Sequence, residues 1–161
     1  MSEQPNPLDN RDHVRELRSE DPLTAFFGPP ISIYTREQAI DDGVLVDVTD
    51  WADSGPNGMI GGFSVPVAFT RALWWIVDLD ADDDATWRRQ ARQRGESTRG
   101  RAHDTLFMTR LAARLHPHAD RVPVAVLMTG EGARGGVVRK RLDLEAVIDG
   151  NGVTIGFPED M

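Results

Sequence analysis

The run Ile31-Ser-Ile-Tyr-Thr-Arg-Glu-Gln-Ala-Ile-Asp-Asp-Gly-Val-Leu-Val-Asp-Val48 has a structural reading at almost every position. Ile31, Ile33 and Tyr34 form a short strand-like segment. Thr35 and Gln38 stand at the spacing of a capping box, in which the hydroxyl accepts an amide of the first helical turn and the glutamine reaches back to the cap. Gly43 is placed where a helical turn ends in a left-handed residue. Val44, Val46 and Val48 then alternate with Leu45 and Asp47, the period of a strand. The segment therefore predicts strand, capped helical turn, strand.

Outward from there, 161 residues accommodate one domain with a real core. The chain is 40% hydrophobic and 27% charged, the composition of an ordinary globular protein. No apolar run approaches the ~18–20 residues needed to span a bilayer. The first ten residues contain no basic segment followed by an apolar one, so no secretory leader and a cytoplasmic location are expected. The chain has no cysteine, which excludes disulfides, a thiol nucleophile and thiolate metal sites. The formal net charge of −8 disfavours a generic phosphate-binding surface, because non-specific nucleic-acid affinity comes from neutralising phosphates. Of the 18 basic residues only Lys140 is a lysine, a bias that codon usage in a GC-rich genome explains, with specialised bidentate recognition by arginine as the alternative.

Residues 1–22 are polar and charged and read as a flexible N-terminal arm, with a single α+β domain over 23–161. Phe26 and Phe27 would tie the arm to the domain, and Pro29-Pro30 force an extended entry into the first strand. Gly55, Pro56 and Gly58 signal a loop. After Pro66 the apolar positions Val67, Thr70, Leu73, Trp74 and Val77 predict a helix over Val67–Leu79, the central packing element. A second helix is expected from Ala85 to about Arg94. A third, from Ala102 to Leu115, would carry His103, Phe107, Leu111 and Leu115 on its inner stripe. Val122–Thr129, Val137–Val147 and Val153–Phe157 read as a three-stranded antiparallel meander, with a hairpin at Gly150-Asn151-Gly152. The expected architecture is α+β: a mainly antiparallel sheet of about five strands with two or three helices packed on one face.

No intact catalytic or metal motif emerges. Asp78, Asp80 and Asp82 match the first ligands of a calcium loop, but Asp83 replaces the glycine and Arg89 the bidentate glutamate. His116-Pro-His118 sits at a helix end without further ligands, where the helix dipole explains histidine. Gly130–Gly136 lacks the Lys-Ser/Thr ending of a phosphate loop and joins two strands. Gly62-Phe-Ser-Val-Pro66 is not a nucleophile elbow. The reading assigns no metal and no cofactor. Arg88, Arg89, Arg92, Arg94, Arg99 and Arg101 follow Trp87, a composition open to RNA or single-stranded DNA, but the aspartates upstream also permit a charge-balanced face. What remains is a candidate ligand or partner cluster: Thr35, Arg36, Asp42, Asp47, Thr70, Arg71, His103 and Asp104.

The residues Tyr34-Thr-Arg-Glu-Gln-Ala-Ile-Asp-Asp-Gly-Val-Leu-Val-Asp47-Val48, then Phe63 and Pro66-Val-Ala-Phe-Thr-Arg-Ala-Leu-Trp74, carry a resemblance. The pattern Tyr-Thr-Arg-x-x-Ala-Ile-x-Asp-Gly-x-Leu-x-Asp resembles a family of uncharacterised bacterial domains encoded on plasmids, phages and other mobile elements. Arg99, Arg101 and Asp104–Leu106 are similar to a later arginine stretch and an Asp-x-Leu helix of that family, so the likeness spans roughly Ile31 to Leu115. The resemblance implies an accessory protein of mobile DNA, with no catalytic assignment. The expected function is thus a non-enzymatic accessory binding protein of a mobile genetic element, modulating a host-defence or plasmid-maintenance system through a host or plasmid-encoded protein. Two alternatives stay open. One is a small enzyme or nucleotide-binding domain using Arg36, Arg71, Asp47 and Asp104; the other is RNA or single-stranded DNA binding through Trp87–Arg101.

Overall fold

The capping box forms as expected. In the computed structural model, which describes residues 34–53, 58, 62–82, 85–134 and 136–161, Thr35 Oγ accepts the Gln38 N–H at 3.2 Å. Gln38 Oε1 in turn accepts the Thr35 N–H at 2.8 Å. By its contacts the chain divides after Tyr34, and Thr35–Met161 forms one compact unit. The arm expected over 1–22, the Phe26–Phe27 tie and the strand over Ile31–Ile33 lie outside the described residues, as does most of the loop around Pro56.

Helix α1 (Arg36–Asp41) follows the cap, and Gly43 turns the chain at a φ of 71°. Strand β1 (Leu45–Asp47) is shorter than its valine alternation suggests. Asp47 ends it by accepting the Thr49 N–H at 2.8 Å and the Thr49 hydroxyl at 2.5 Å, and a one-turn helix, α2 (Thr49–Ala52), begins.

The helix expected over Val67–Leu79 is two elements: β2 (Val67–Thr70) and α3 (Arg71–Val77). All four β2 residues are buried, and a strand covered on both faces shows no alternation by which periodicity separates it from a helix. The boundary is chemical. Thr70 is extended and its Oγ accepts the Leu73 N–H at 3.3 Å, making it the N-cap of α3.

Helix α4 (Thr86–Gln93) lies close to its expected bounds. Helix α5 (Thr98–Leu115) starts earlier than expected, because Ser97 Oγ accepts the Gly100 N–H at 3.0 Å and so caps the turn through Gly100. Strands β3 (Arg121–Glu131), β4 (Val137–Asp149) and β5 (Gly152–Gly156) form the expected meander. A 3₁₀ turn over Pro158–Asp160 follows.

The strands assemble into one five-stranded sheet in the order β1-β2-β5-β4-β3. The fold is α+β, but the sheet is mixed: β5 enters between β4 and β2 and pairs with β2 in parallel, Val67 opposite Val153 and Phe69 opposite Ile155. Two glycines permit that close approach. A Cβ on Gly156 would run into the Thr70 side chain, and one on Gly152 into the Pro66 carbonyl. There are five α-helices among the described residues rather than two or three, and they do not all share a face. Phe69, Ile155, Leu144, Val124 and Val126 pack with Leu73 and Val77 of α3 and Ala102 and Leu106 of α5. Thr154 points to the opposite side of the pleat from Val153 and Ile155, and Arg36 of α1 reaches it there at 2.7 Å.

The inner face of α5 differs from the expected stripe. Thr98, Arg101, Ala102, Thr105, Leu106 and Thr109 are buried, while Phe107, Leu111 and Leu115 are 48%, 44% and 69% exposed. Thr105 and Thr109 enter the core because their hydroxyls donate to the Arg101 and Thr105 carbonyls, at 2.9 and 2.8 Å. Among the described residues no helix is long and apolar enough to cross a membrane.

Candidate functional site

The eight polar residues singled out by sequence do not converge. Thr35 is the N-cap of α1. Asp42 closes the same helix through its backbone, its N–H donating to the Gln38 carbonyl at 2.9 Å. Asp47 is occupied with Thr49, beside a small cavity that also touches Trp51 and Trp74.

Three of the eight come together on the sheet face opposite the main core. Arg36 donates to Thr154 Oγ at 2.7 Å and to the Val153 carbonyl at 2.9 Å. Thr154, Thr70 and Arg71 border one cavity of about 380 Å³. Asp160 and Met161 border it too, and the nearby Arg121 is paired with Glu145 at 2.5 Å. The Arg121 charge is thus compensated. Arg36 holds α1 against β5 as a fork on a hydroxyl and a carbonyl.

His103 and Asp104 lie elsewhere, on α5. They pair with each other at 3.2 Å, and the His103 ring stacks on Phe107 with centroids 6.2 Å apart and an angle of 7° between planes. Arg71, Asp47 and Asp104 therefore border three different cavities, Arg36 meets the one beside Arg71 only through Thr154, and the four do not share one cleft.

The arginine-rich segment is also partly withdrawn from the surface. Arg88 is buried, with its guanidinium carbon 3.5 Å from the centre of the Trp75 ring and 4.7 Å from that of Trp87. Its Nε donates to the Asp78 carbonyl at 2.8 Å and an Nη to the Trp75 carbonyl at 2.5 Å. Trp87 is buried in a small cluster with Leu79 and Ala91 and stacks on Trp75, so its own faces are covered.

Arg101 is the most engaged polar side chain. It is 3% exposed and uses four donor contacts: Nε and Nη2 to Glu96 Oε2 at 3.0 and 2.8 Å, Nη1 to the Ile76 carbonyl at 2.6 Å, and Nη2 to the Thr129 carbonyl at 2.5 Å. Thr129 Oγ donates to the other Glu96 oxygen. One guanidinium thus ties the end of α3, the start of α5 and strand β3. Burial by itself would raise the Glu96 carboxyl, but the Thr129 and Arg101 hydrogen bonds and the Arg101 charge outweigh it and hold that carboxyl below its usual range. Burial likewise lowers Arg101 from its usual value, against the opposing pull of Glu96.

This clamp forms the floor of a groove between α5 and β3. A cavity of about 480 Å³ is bordered by Arg94, Ser97, His103, Asp104, Leu127 and Arg139 among others. A second, of about 280 Å³, shares Asp104, Leu127 and Arg139 with it and continues to Phe107, Met108 and Ala125. The two adjoin through these shared residues, with arginines at the start of α5 and apolar side chains at Phe107. Leu127, 57% exposed, forms part of its wall.

The sequence pattern marks His103 and Asp104 in this region but not Phe107, Leu127 or Arg139 as site residues. A signal for Leu127 is present: the alternation Val122, Val124, Val126, Met128 sends Leu127 to the other side of β3. The Glu96–Arg101–Thr129 contact has no such signal, because it joins segments that only the fold brings together. Among the described residues no three His, Asp or Glu side chains converge as metal ligands. No protein-family model, curated protein or solved structure matches the chain.

Proposed function

We propose that this chain is a non-enzymatic binding protein whose partner is another protein, docked on the outer side of α5. The observation that supports the reading is the row Phe107, Leu111 and Leu115, each close to half exposed or more on one line of a helix whose inner side is occupied by threonines and an arginine. Residues four apart on a helix stand one above the other, so the three side chains form a continuous apolar stripe, the pattern by which helix surfaces present anchors to partners. In line with the mobile-element resemblance of Tyr34–Trp74, the proposed setting is the cytoplasm of a bacterium, with a host-defence or plasmid-maintenance protein as partner.

The test is affinity capture from bacterial lysate by the wild-type chain and by a Leu111→Asp/Leu115→Asp variant, both checked for folding by circular dichroism. A stoichiometric partner retained by wild type and lost by the variant is the expected result. Wild type returning no stoichiometric protein, or both chains returning the same one, overturns the reading.

A further inference from the structure

The reading of the chain as a protein-binding domain leaves open how a partner is held, and the edge of the sheet beside α5 supplies a mode. Strand β3 ends the strand order, so among the described residues no further strand pairs with its outer side. Its register with β4 is continuous from Arg121–Val147 to Glu131–Val137. The Ile148 N–H donates to the Asp120 carbonyl at 2.7 Å, which places the even-numbered backbone groups of β3 toward β4. In an antiparallel ladder the intervening residues then direct both N–H and C=O outward.

Two independent contacts agree with that parity. The Thr129 carbonyl, odd-numbered, accepts from Arg101 on the α5 side. Pro123, also odd-numbered, has no N–H and would break a ladder on the inner side, but on the outer edge a proline is tolerated. The edge is thus closed at one end by a proline and at the other by an arginine. Between them Ala125 and Leu127 present their backbone donors and acceptors outward, along about 13 Å of strand at ~3.3 Å per residue.

That open stretch is the strand side of the groove. Asp104, Phe107 and Met108 of α5 border the same space as Ala125 and Leu127. Where the groove widens toward the start of α5, Arg94 and Arg139 border it, and neither guanidinium is in an ion pair among the described residues. Arg139 pairs directly across from Thr129, so its side chain stands on the same side of the sheet as that of Leu127. The fixed acids nearby are already engaged: Glu96 with Arg101 and Thr129, and Asp104 with His103.

We infer that the α5–β3 groove binds an extended peptide by strand addition to the edge of β3 at Ala125 and Leu127. The peptide places an apolar side chain against Phe107 and Met108 on the α5 side, and the alternate, acidic residue beside Arg139 and Arg94. Backbone pairing supplies affinity independent of sequence, the apolar subsite selects one side chain, and the two guanidiniums select its charge. Pro123 and the occupied Thr129 carbonyl fix where the added strand begins and ends. They also keep the rest of the edge from open-ended pairing.

The experiment is a ¹⁵N-edited NMR titration of the full chain with end-blocked hexapeptides. One alternates valine and phenylalanine with aspartate; a second replaces aspartate by lysine; a third is the aspartate peptide with N-methylated backbone amides. The aspartate peptide is expected to shift the Ala125 and Leu127 amides and slow their hydrogen exchange. The lysine and N-methylated peptides are expected to bind at least tenfold more weakly, and added salt to narrow the aspartate–lysine difference. Ala125→Pro removes one outward donor in the manner of Pro123, and should abolish binding without unfolding the sheet. Arg139→Glu should bring the lysine peptide at least level with the aspartate peptide.

Absence of binding at millimolar peptide, shifts confined to other regions, or equal binding by folded Ala125→Pro and wild type would each overturn the inference. Should Ala125→Pro cost the chain its fold, the N-methylated peptide decides alone on wild-type protein: binding equal to its parent excludes strand addition. A protein partner lost on Leu111→Asp/Leu115→Asp but retained by Ala125→Pro would leave the binding-protein reading standing and remove this one.

Discussion

Replacing Arg101 by methionine isolates what the buried clamp contributes. Methionine keeps most of the side-chain stem and its packing, but removes every donor. Three acceptors lose their partner: the Ile76 carbonyl, the Thr129 carbonyl and Glu96 Oε2. A buried acceptor left unsatisfied costs ~1–3 kcal/mol. Glu96 costs less than a wholly buried acid, because its side chain is 30% exposed and water solvates part of the released charge. Removing one member of a fully buried pair costs ~3–5 kcal/mol, so Arg101→Met should lose about 3–4 kcal/mol. A domain has only about 5–15 kcal/mol to lose.

Equilibrium urea unfolding measures this directly, with an unchanged m-value showing that the native state has not loosened. The companion variant Glu96→Gln keeps a carbonyl acceptor for Arg101, turns its amide N–H toward the Thr129 hydroxyl, which can accept it, and leaves both backbone carbonyls served, so it should cost only about 1 kcal/mol. The ordering is the sharper test. If Glu96→Gln destabilises as much as Arg101→Met, the charge pair carries the clamp and the backbone carbonyls do not. A loss below about 1 kcal/mol for Arg101→Met would refute the argument altogether.

Further expectations concern the same interior. Because the Glu96 carboxyl is held below its usual range in the folded chain, its contribution is fully present above the unfolded carboxyl value and is lost as pH falls through the lowered one. Wild type should accordingly lose stability more steeply than Glu96→Gln on acidification below about pH 4.3, and parallel acid-unfolding curves would contradict the assignment. Gly156→Ala drives a Cβ into the Thr70 side chain at the β2–β5 contact and should cost about 2–3 kcal/mol, as overpacked interiors do; a thermal midpoint equal to wild type would show that the parallel pairing is looser than described. Thr70→Val removes the cap of α3 while keeping the side-chain shape, with an expected loss of about 1 kcal/mol, read by the same urea titration.

Much of the fold was legible because it is written in local chemistry. The capping box at Thr35–Gln38, the hairpin around Gly150-Asn151 and the two long strands β3 and β4 need only neighbours in sequence to be recognised. What escaped depends on distant partners. Strand β2 is covered on both faces, so Val67-Ala-Phe-Thr70 offers no period to read. The insertion of β5 beside β2 is a pairing between the middle and the end of the chain, licensed by two glycines whose significance appears only when Pro66 and Thr70 lie against them. The candidate site followed the same division. Of the marked residues, Thr35, Asp47 and Thr70 serve in capping and turn closure. Arg36 and Arg71 lie near a shared cavity on one face of the sheet, and His103 and Asp104 border the groove along α5.

The orientation of α5 shows why counting apolar residues misplaced its inner side. Two faces of this helix compete for the core. One carries Phe107, Leu111 and Leu115; the other carries Arg101, Thr105 and Thr109 around Ala102 and Leu106. Burying the first by transfer energy alone would be favourable, yet the second is inside. Its polar groups arrive already satisfied: each threonine returns a hydrogen bond to its own helix, and Arg101 meets acceptors from α3, β3 and Glu96 at once. An interior filled this way fixes rotation as well as depth, because a helix turned by one residue step of ~100° would strand four donor contacts. The apolar stripe is consequently held outward, beside an edge strand whose middle pairs with no further strand among the described residues. A rotation chosen by polar contacts has set the two surfaces of the groove, Phe107 on the helix and Leu127 on the strand, at the border of the same space.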